Sequence, residues 1–64
     1  MDETVWLTIE EAAERIKVRP RTLYTWRYAG IGPPGYRVGK RLLWKLHEVD
    51  AWMTLQAAQP APAR

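Results

Sequence analysis

Residues 8–30 read TIEEAAERIKVRPRTLYTWRYAG, and the fold turns on this stretch. Thr8-Ile9-Glu10-Glu11 has the form of a capping box, in which the Thr8 hydroxyl accepts from the Glu11 amide and the Glu11 carboxylate reaches back to the Thr8 amide. Ile9, Ala12, Ala13 and Ile16 follow at i, i+3, i+4 and i+7 as one apolar stripe. Glu10, Glu11 and Glu14 face water near the positive end of the helix dipole. The spacing predicts a helix over 8–16, with Leu7 as its hydrophobic staple. Lys17-Val18-Arg19 interrupts the pattern, and Pro20 opens a second helix at the position where a missing amide costs nothing. That helix runs over 20–29 and stops at Gly30, a natural C′ residue, after which Gly32-Pro33-Pro34-Gly35 forbids continuation.

Two helices joined by a turn of three or four residues, with Val18 plugging the turn and small Ala12 and Ala13 allowing close approach, form a helix-turn-helix pattern. Beyond it the period changes. Tyr36-Arg37-Val38 and Arg41-Leu42-Leu43-Trp44 are short runs rich in apolar and aromatic residues around Gly39-Lys40, which predicts a β-hairpin over 36–44. Val38, Leu42 and Trp44 are expected to face inward, with Arg37, Lys40, Arg41, Leu43 and Lys45 outside or at the tip. A third helix is expected over 47–57, with His47 at its N-cap, Glu48 and Asp50 in its first turn, and Leu46, Val49, Trp52 or Met53, and Leu55 towards the core. The fold class is mainly α with a small hairpin, a winged helix-turn-helix. Residues 1–4 are expected to be a flexible lead, 5–57 the folded domain, and 58–64 a disordered Pro/Ala tail.

Charge is segregated along the chain. Nine Lys or Arg and no acid lie between Arg15 and Lys45, whereas Asp2, Glu3, Glu10, Glu11 and Glu14 precede them, so a modest net charge of +3 conceals a strongly basic centre. A positive face interleaved with Tyr24, Trp26, Tyr28, Tyr36 and Trp44 fits a folded surface for a polyanion. Catalysis finds little to use: there is no Ser, no Cys and one His, and the acids sit in predicted first turns or the lead, so no enzymatic activity is expected. Neither a metal nor a cofactor is expected. The G-x-G-x-x-G spelled by Gly30, Gly32 and Gly35 lacks a strand-loop-helix setting, and Pro33 and Pro34 deny it the amides a phosphate loop needs. No apolar run approaches the roughly 20 residues that span a bilayer, and the acidic start does not resemble a signal peptide, so a cytoplasmic protein is expected, nucleoid-associated if the basic centre binds DNA.

The second helix is where such a fold reads DNA. Steps of 100° put Leu23 and Trp26 on the core face and Arg21, Tyr24, Thr25 and Tyr28 opposite, with Thr22 and Arg27 at the flanks. Major-groove candidates are therefore Arg21, Thr22, Tyr24, Thr25 and Tyr28. Arg21 can bond a guanine edge or a phosphate; Thr25 can meet a thymine methyl or a backbone oxygen; Tyr24 and Tyr28 can donate to phosphates or lie partly in the core. Arg37, Lys40 and Arg41 are the wing candidates for an adjacent minor groove or its phosphates. Lys17 and Arg19 flank the turn where phosphates pass. Arg27 is placed to pair with an acid such as Glu14.

The order of parts, carried by Leu7-Thr8-Ile9-Glu10-Glu11-Ala12-Ala13, Val18-Arg19-Pro20-Arg21-Thr22-Leu23-Tyr24-Thr25-Trp26, Gly32-Pro33-Pro34, Tyr36-Arg37-Val38-Gly39-Lys40-Arg41 and Val49-Asp50-Ala51-Trp52, resembles the excisionase and MerR-type winged-helix DNA-binding family. The resemblance implies a second helix in the major groove and a hairpin wing in the adjacent minor groove. In its excisionase branch it implies a recombination directionality factor that binds tandem sites cooperatively beside a prophage attachment site, bends the DNA and makes a tyrosine or serine integrase favour excision. The chain's size favours that branch over MerR activators, which add a dimerisation helix and an effector region. Arg19 and His47 stand where the family usually carries Ser, and Leu43 stands where a polar residue is common. Two alternatives remain: a small phage or mobile-element transcriptional regulator of the same fold, and a protein-interaction adaptor using Trp6, Leu43 and the third helix.

Overall fold

The computed structural model describes residues 3–58. In chain order it contains β1 (Trp6–Leu7), α1 (Ile9–Ile16), α2 (Pro20–Ala29), β2 (Gly35–Val38), β3 (Arg41–Lys45) and α3 (Leu46–Ala58). The fold class read from the sequence is the one observed. Thr8 caps α1 through both arms of the capping box: its hydroxyl accepts from the Glu11 amide at 3.1 Å and its amide donates to Glu11 Oε1 at 2.9 Å. Lys17 closes α1 in the left-handed region at φ 69°, a conformation that costs a non-glycine residue about 1–2 kcal/mol. Its amide and that of Val18 bond the last α1 carbonyls, which turns the chain into α2 within three residues. Arg19 precedes α2 without a side-chain cap, Pro20 occupies the first turn, and Gly30 ends the helix at φ 77°.

The sheet holds three strands, in the order β1-β3-β2, all antiparallel. Leu7 is thus a strand residue paired with Trp44 as well as a core contact, and not only a staple for α1. A two-residue strand has no periodicity to read, so β1 is invisible until β3 exists to pair with it. The register joins Tyr36 to Leu43, Arg37 to Leu42 and Val38 to Arg41. Directly opposed residues share a face, so Leu42 and Trp44 turn inward with Gly35, while Tyr36, Val38, Leu43 and Lys45 take the outer face. This corrects the expected inward Val38, which is 49% exposed, and assigns Arg37 to the Leu42 side near the exposed tip.

β3 runs straight into α3, and the Leu46 amide donates to the Val5 carbonyl at 2.9 Å. His47 is therefore inside the first turn and not the N-cap, since α3 begins at Leu46, whose amide is met by Val5 just before β1. α3 extends through Ala58, one residue past the expected domain end and into the expected tail; residues 1–2 and 59–64, which carry half of the expected lead and most of the expected tail, lie outside the described residues.

Ala12, Ala13, Leu23, Trp44 and Val49 form the buried core, with Leu7, Ile9, Ile16, Val18, Trp26, Leu42 and Met53 packed around it. Trp52 lies against Trp26, ring centroids 5.6 Å apart, whereas Leu55 is 64% exposed and contributes nothing to the core. Trp44 passes directly under Gly35: a Cβ there would stand 2.8 Å from the indole Cε2, so only glycine lets β2 lie so close to the ring. Tyr36 ties the hairpin to α3 by donating its hydroxyl to Glu48 Oε1 and Oε2 at 2.9 and 3.1 Å. That bond, with burial and the Glu48 charge, raises the phenol above its ordinary value near 10.

Arg15 on α1 and Asp50 on α3 make a two-pronged ion pair, Nε to Oδ1 at 2.6 Å and Nη2 to Oδ2 at 3.0 Å. The hydrogen bonds and charge of Arg15 hold the Asp50 carboxyl below its ordinary value of 3.8. A depressed carboxyl pKa contributes stability above its unfolded value and loses it as pH falls through the folded value. Asp50→Asn should therefore melt lower than the parent at pH 6, with the two thermal midpoints converging as pH drops below about 4. A gap that stays constant down to pH 2 would show the pair contributes nothing through its charge.

Candidate nucleic-acid interface

α2 presents its outward face as the helical period requires. Leu23 is buried and Trp26 packs on the core, while Arg21, Tyr24 and Thr25 are exposed and Tyr28 is 77% exposed. Tyr28 is thus wholly a surface residue, not a core one, and Tyr24 is 44% exposed. The two rings meet edge to face at 5.4 Å, the i, i+4 contact expected along one helix face. Thr22 is half-buried at the flank.

The hairpin approaches this face. Tyr24 of α2, Lys40, Arg41, Leu42 and Leu43 of the hairpin, and Thr8, Ile9 and Glu10 at the start of α1 line one open groove of about 470 Å³. Of the residues singled out in the sequence, the groove gathers Tyr24, Lys40 and Arg41; Arg21, Thr25 and Tyr28 continue the same α2 face beyond it. Arg37 is exposed near the tip. Lys17 and Arg19 bracket the turn, where Lys17 carries a solvent-exposed ion pair to Glu14 at 3.2 Å, a type worth little in water. The Thr8, Ile9 and Glu10 wall has no signal in the sequence, because it lies some thirty residues from the hairpin and meets it only through the packing of α1 on β3.

The nine central cations divide by what they touch. Arg15 is held by Asp50, and Lys45 Nζ lies 4.9 Å from the Tyr36 ring centroid and 5.6 Å from that of Trp6. Arg27 does not pair with Glu14, whose carboxylate goes to Lys17; its Nε is buried without a hydrogen-bond partner among the described residues. Arg19, Arg21, Arg37, Lys40 and Arg41 are exposed and form no ion pair among the described residues. Charges held free of acids are the ones available to an incoming polyanion. Among the described residues, no helix is long and apolar enough to cross a membrane, and no cluster of His, Cys, Asp or Glu is arranged to hold a metal ion.

Two helices set by a tight turn, a third closing the core and a basic hairpin beside the second define a winged helix-turn-helix domain. A family model described as a helix-turn-helix domain matches residues 6–56, and the chain belongs to that DNA-binding family. No curated protein and no solved structure matches it.

Proposed function

We propose that the protein is a sequence-specific, architectural DNA-binding factor of the excisionase kind, which binds tandem sites in phage attachment DNA, bends it and directs an integrase toward excision. The observation that carries this reading is the single groove joining Tyr24 of the second helix to Lys40 and Arg41 of the hairpin, beside a row of cations without acid partners. A duplex backbone lying along that groove puts α2 in the major groove and the hairpin in the neighbouring minor groove. Arg21, Thr22, Tyr24, Thr25 and Tyr28 then face base edges and sugars, Arg37, Lys40 and Arg41 the wing contacts, and Lys17 and Arg19 the flanking phosphates. One short helix reads few base pairs, so useful affinity calls for several copies on adjacent repeats or for contacts from a tyrosine or serine integrase. The protein works without a cofactor and without chemistry of its own, in the cytoplasm on the host nucleoid.

Contact with about four to six phosphates gives a log-log salt slope of roughly −4 to −5 on duplex DNA. Binding that ignores salt between 50 and 200 mM sinks the DNA reading. Footprinting on the attachment region of the element that encodes the protein should show repeated protected sites. Recombination with the cognate integrase then decides the role: excision that proceeds equally well without the protein removes the directionality function and leaves a promoter-binding regulator of the same fold.

A further inference from the structure

We propose that Thr25 reads the 5-methyl group of a thymine with its own methyl, and that this apolar contact, not a hydroxyl hydrogen bond, supplies part of the sequence preference of α2. The inference rests on the DNA-binding reading above and deepens it. Thr25 is exposed on the outward face of α2, one turn beyond Arg21 and one turn short of Tyr28. Its Oγ1 donates to the Arg21 carbonyl at 3.0 Å. A hydroxyl has one proton to give, and here it is committed within the helix. Of the two branches on Cβ, the oxygen has spent its proton and can only accept, whereas the methyl is free to meet an apolar group. Thr54 makes the same bond to the Asp50 carbonyl on α3, the ordinary i−4 back-bond of a threonine within a helix.

The neighbours of Thr25 are of matching character. Tyr24 and Tyr28 stand edge to face on this surface, so the rings next to Thr25 present carbon rather than charge. A methyl beside these rings is best matched by an apolar counterpart. Base edges in the major groove offer one such group in unmodified DNA, the C5-methyl of thymine. Arg21, without an acid partner among the described residues, remains the polar reader beside it.

The test uses the full chain and the preferred duplex recovered by selection from a random library, with each thymidine replaced in turn by deoxyuridine, which removes only the methyl. One position should lose about fourfold in affinity, the worth of burying a single methyl group. Thr25→Val keeps a methyl in place and removes the hydroxyl, so it should still discriminate at that position. Thr25→Ser keeps the hydroxyl and removes the methyl, so it should bind the thymidine and deoxyuridine duplexes alike. The proposal is overturned if selection returns no preferred sequence, if no position responds to deoxyuridine, if Thr25→Ser keeps the discrimination, or if Thr25→Val loses it. Failure to bind any duplex overturns the DNA-binding reading itself, an outcome distinct from binding that is blind to the methyl. Thermal melting of both variants, whose exposed substitution leaves the core untouched, separates loss of reading from loss of fold.

Discussion

Trp44→Ala should leave the chain largely unfolded at 37 °C. Trp44 is 0% exposed and is the largest side chain in the core, where it lies under Gly35 and joins the sheet to the helices. Truncating a buried Trp costs about 3–5 kcal/mol, from lost transfer energy and from the cavity left behind. A domain of this length has a total stability of about 3–10 kcal/mol, with no disulfide to make up the loss. Far-UV circular dichroism and urea unfolding would read the effect directly. The indole Nε1 has no hydrogen-bond partner among the described residues, so Trp44→Phe forfeits no hydrogen bond and should cost less than the alanine variant. If Trp44→Ala shifted the urea midpoint no more than an exposed substitution such as Leu55→Ala, the core would have been assigned wrongly.

Arg21→Ala should reduce binding to the preferred duplex by about 5- to 150-fold while leaving binding to random duplex little changed, since a bidentate base contact is worth about 1–3 kcal/mol of discrimination. Lys40→Ala should act differently: it weakens binding across all sequences and reduces the magnitude of the salt slope by about one, as expected of a phosphate contact. The two residues differ in what they are built on. Arg21 projects from the first turn of a regular helix, whose rigid face holds a side chain in one register against base edges. Lys40 sits in the two-residue hairpin turn, where a charge can follow a backbone without reading it. Competition titrations with both duplexes across a salt series measure both quantities. Equal loss of specific and non-specific binding in Arg21→Ala would make it a phosphate contact and move base reading elsewhere on α2.

Helix-level structure was legible because its signals are local. The Thr8–Glu11 capping box, the Pro20 start and the Gly30 stop each act through atoms within four residues of one another, and the structure begins and ends α1 and α2 where those signals lie. The outward face of α2 was legible for the same reason, since a 3.6-residue period sorts Leu23 from Arg21 and Tyr28 without reference to the rest of the chain. The sheet was less so. Parity of a four-residue strand depends on its register with β3, and one step exchanges the faces of Arg37 and Val38. His47 looked like a cap because a polar residue preceded a helical period, yet the Val5 carbonyl meets the incoming chain instead. Arg27 and Glu14 carry opposite charges, but Glu14 has Lys17 three residues away on its own helix.

The sequence by itself determined the helix-turn-helix, the basic centre and the solvent-facing side of α2, because capping, periodicity and charge are written in neighbouring residues. Only the tertiary structure decided that β1 exists, that Val38 faces out, which cations are spent on Asp50, Glu14 and the Trp6 and Tyr36 rings, and that the start of α1 forms one wall of the groove between α2 and the hairpin. Those outcomes depend on contacts between residues far apart in the chain, whose geometry appears only once the apolar faces have packed around Trp44.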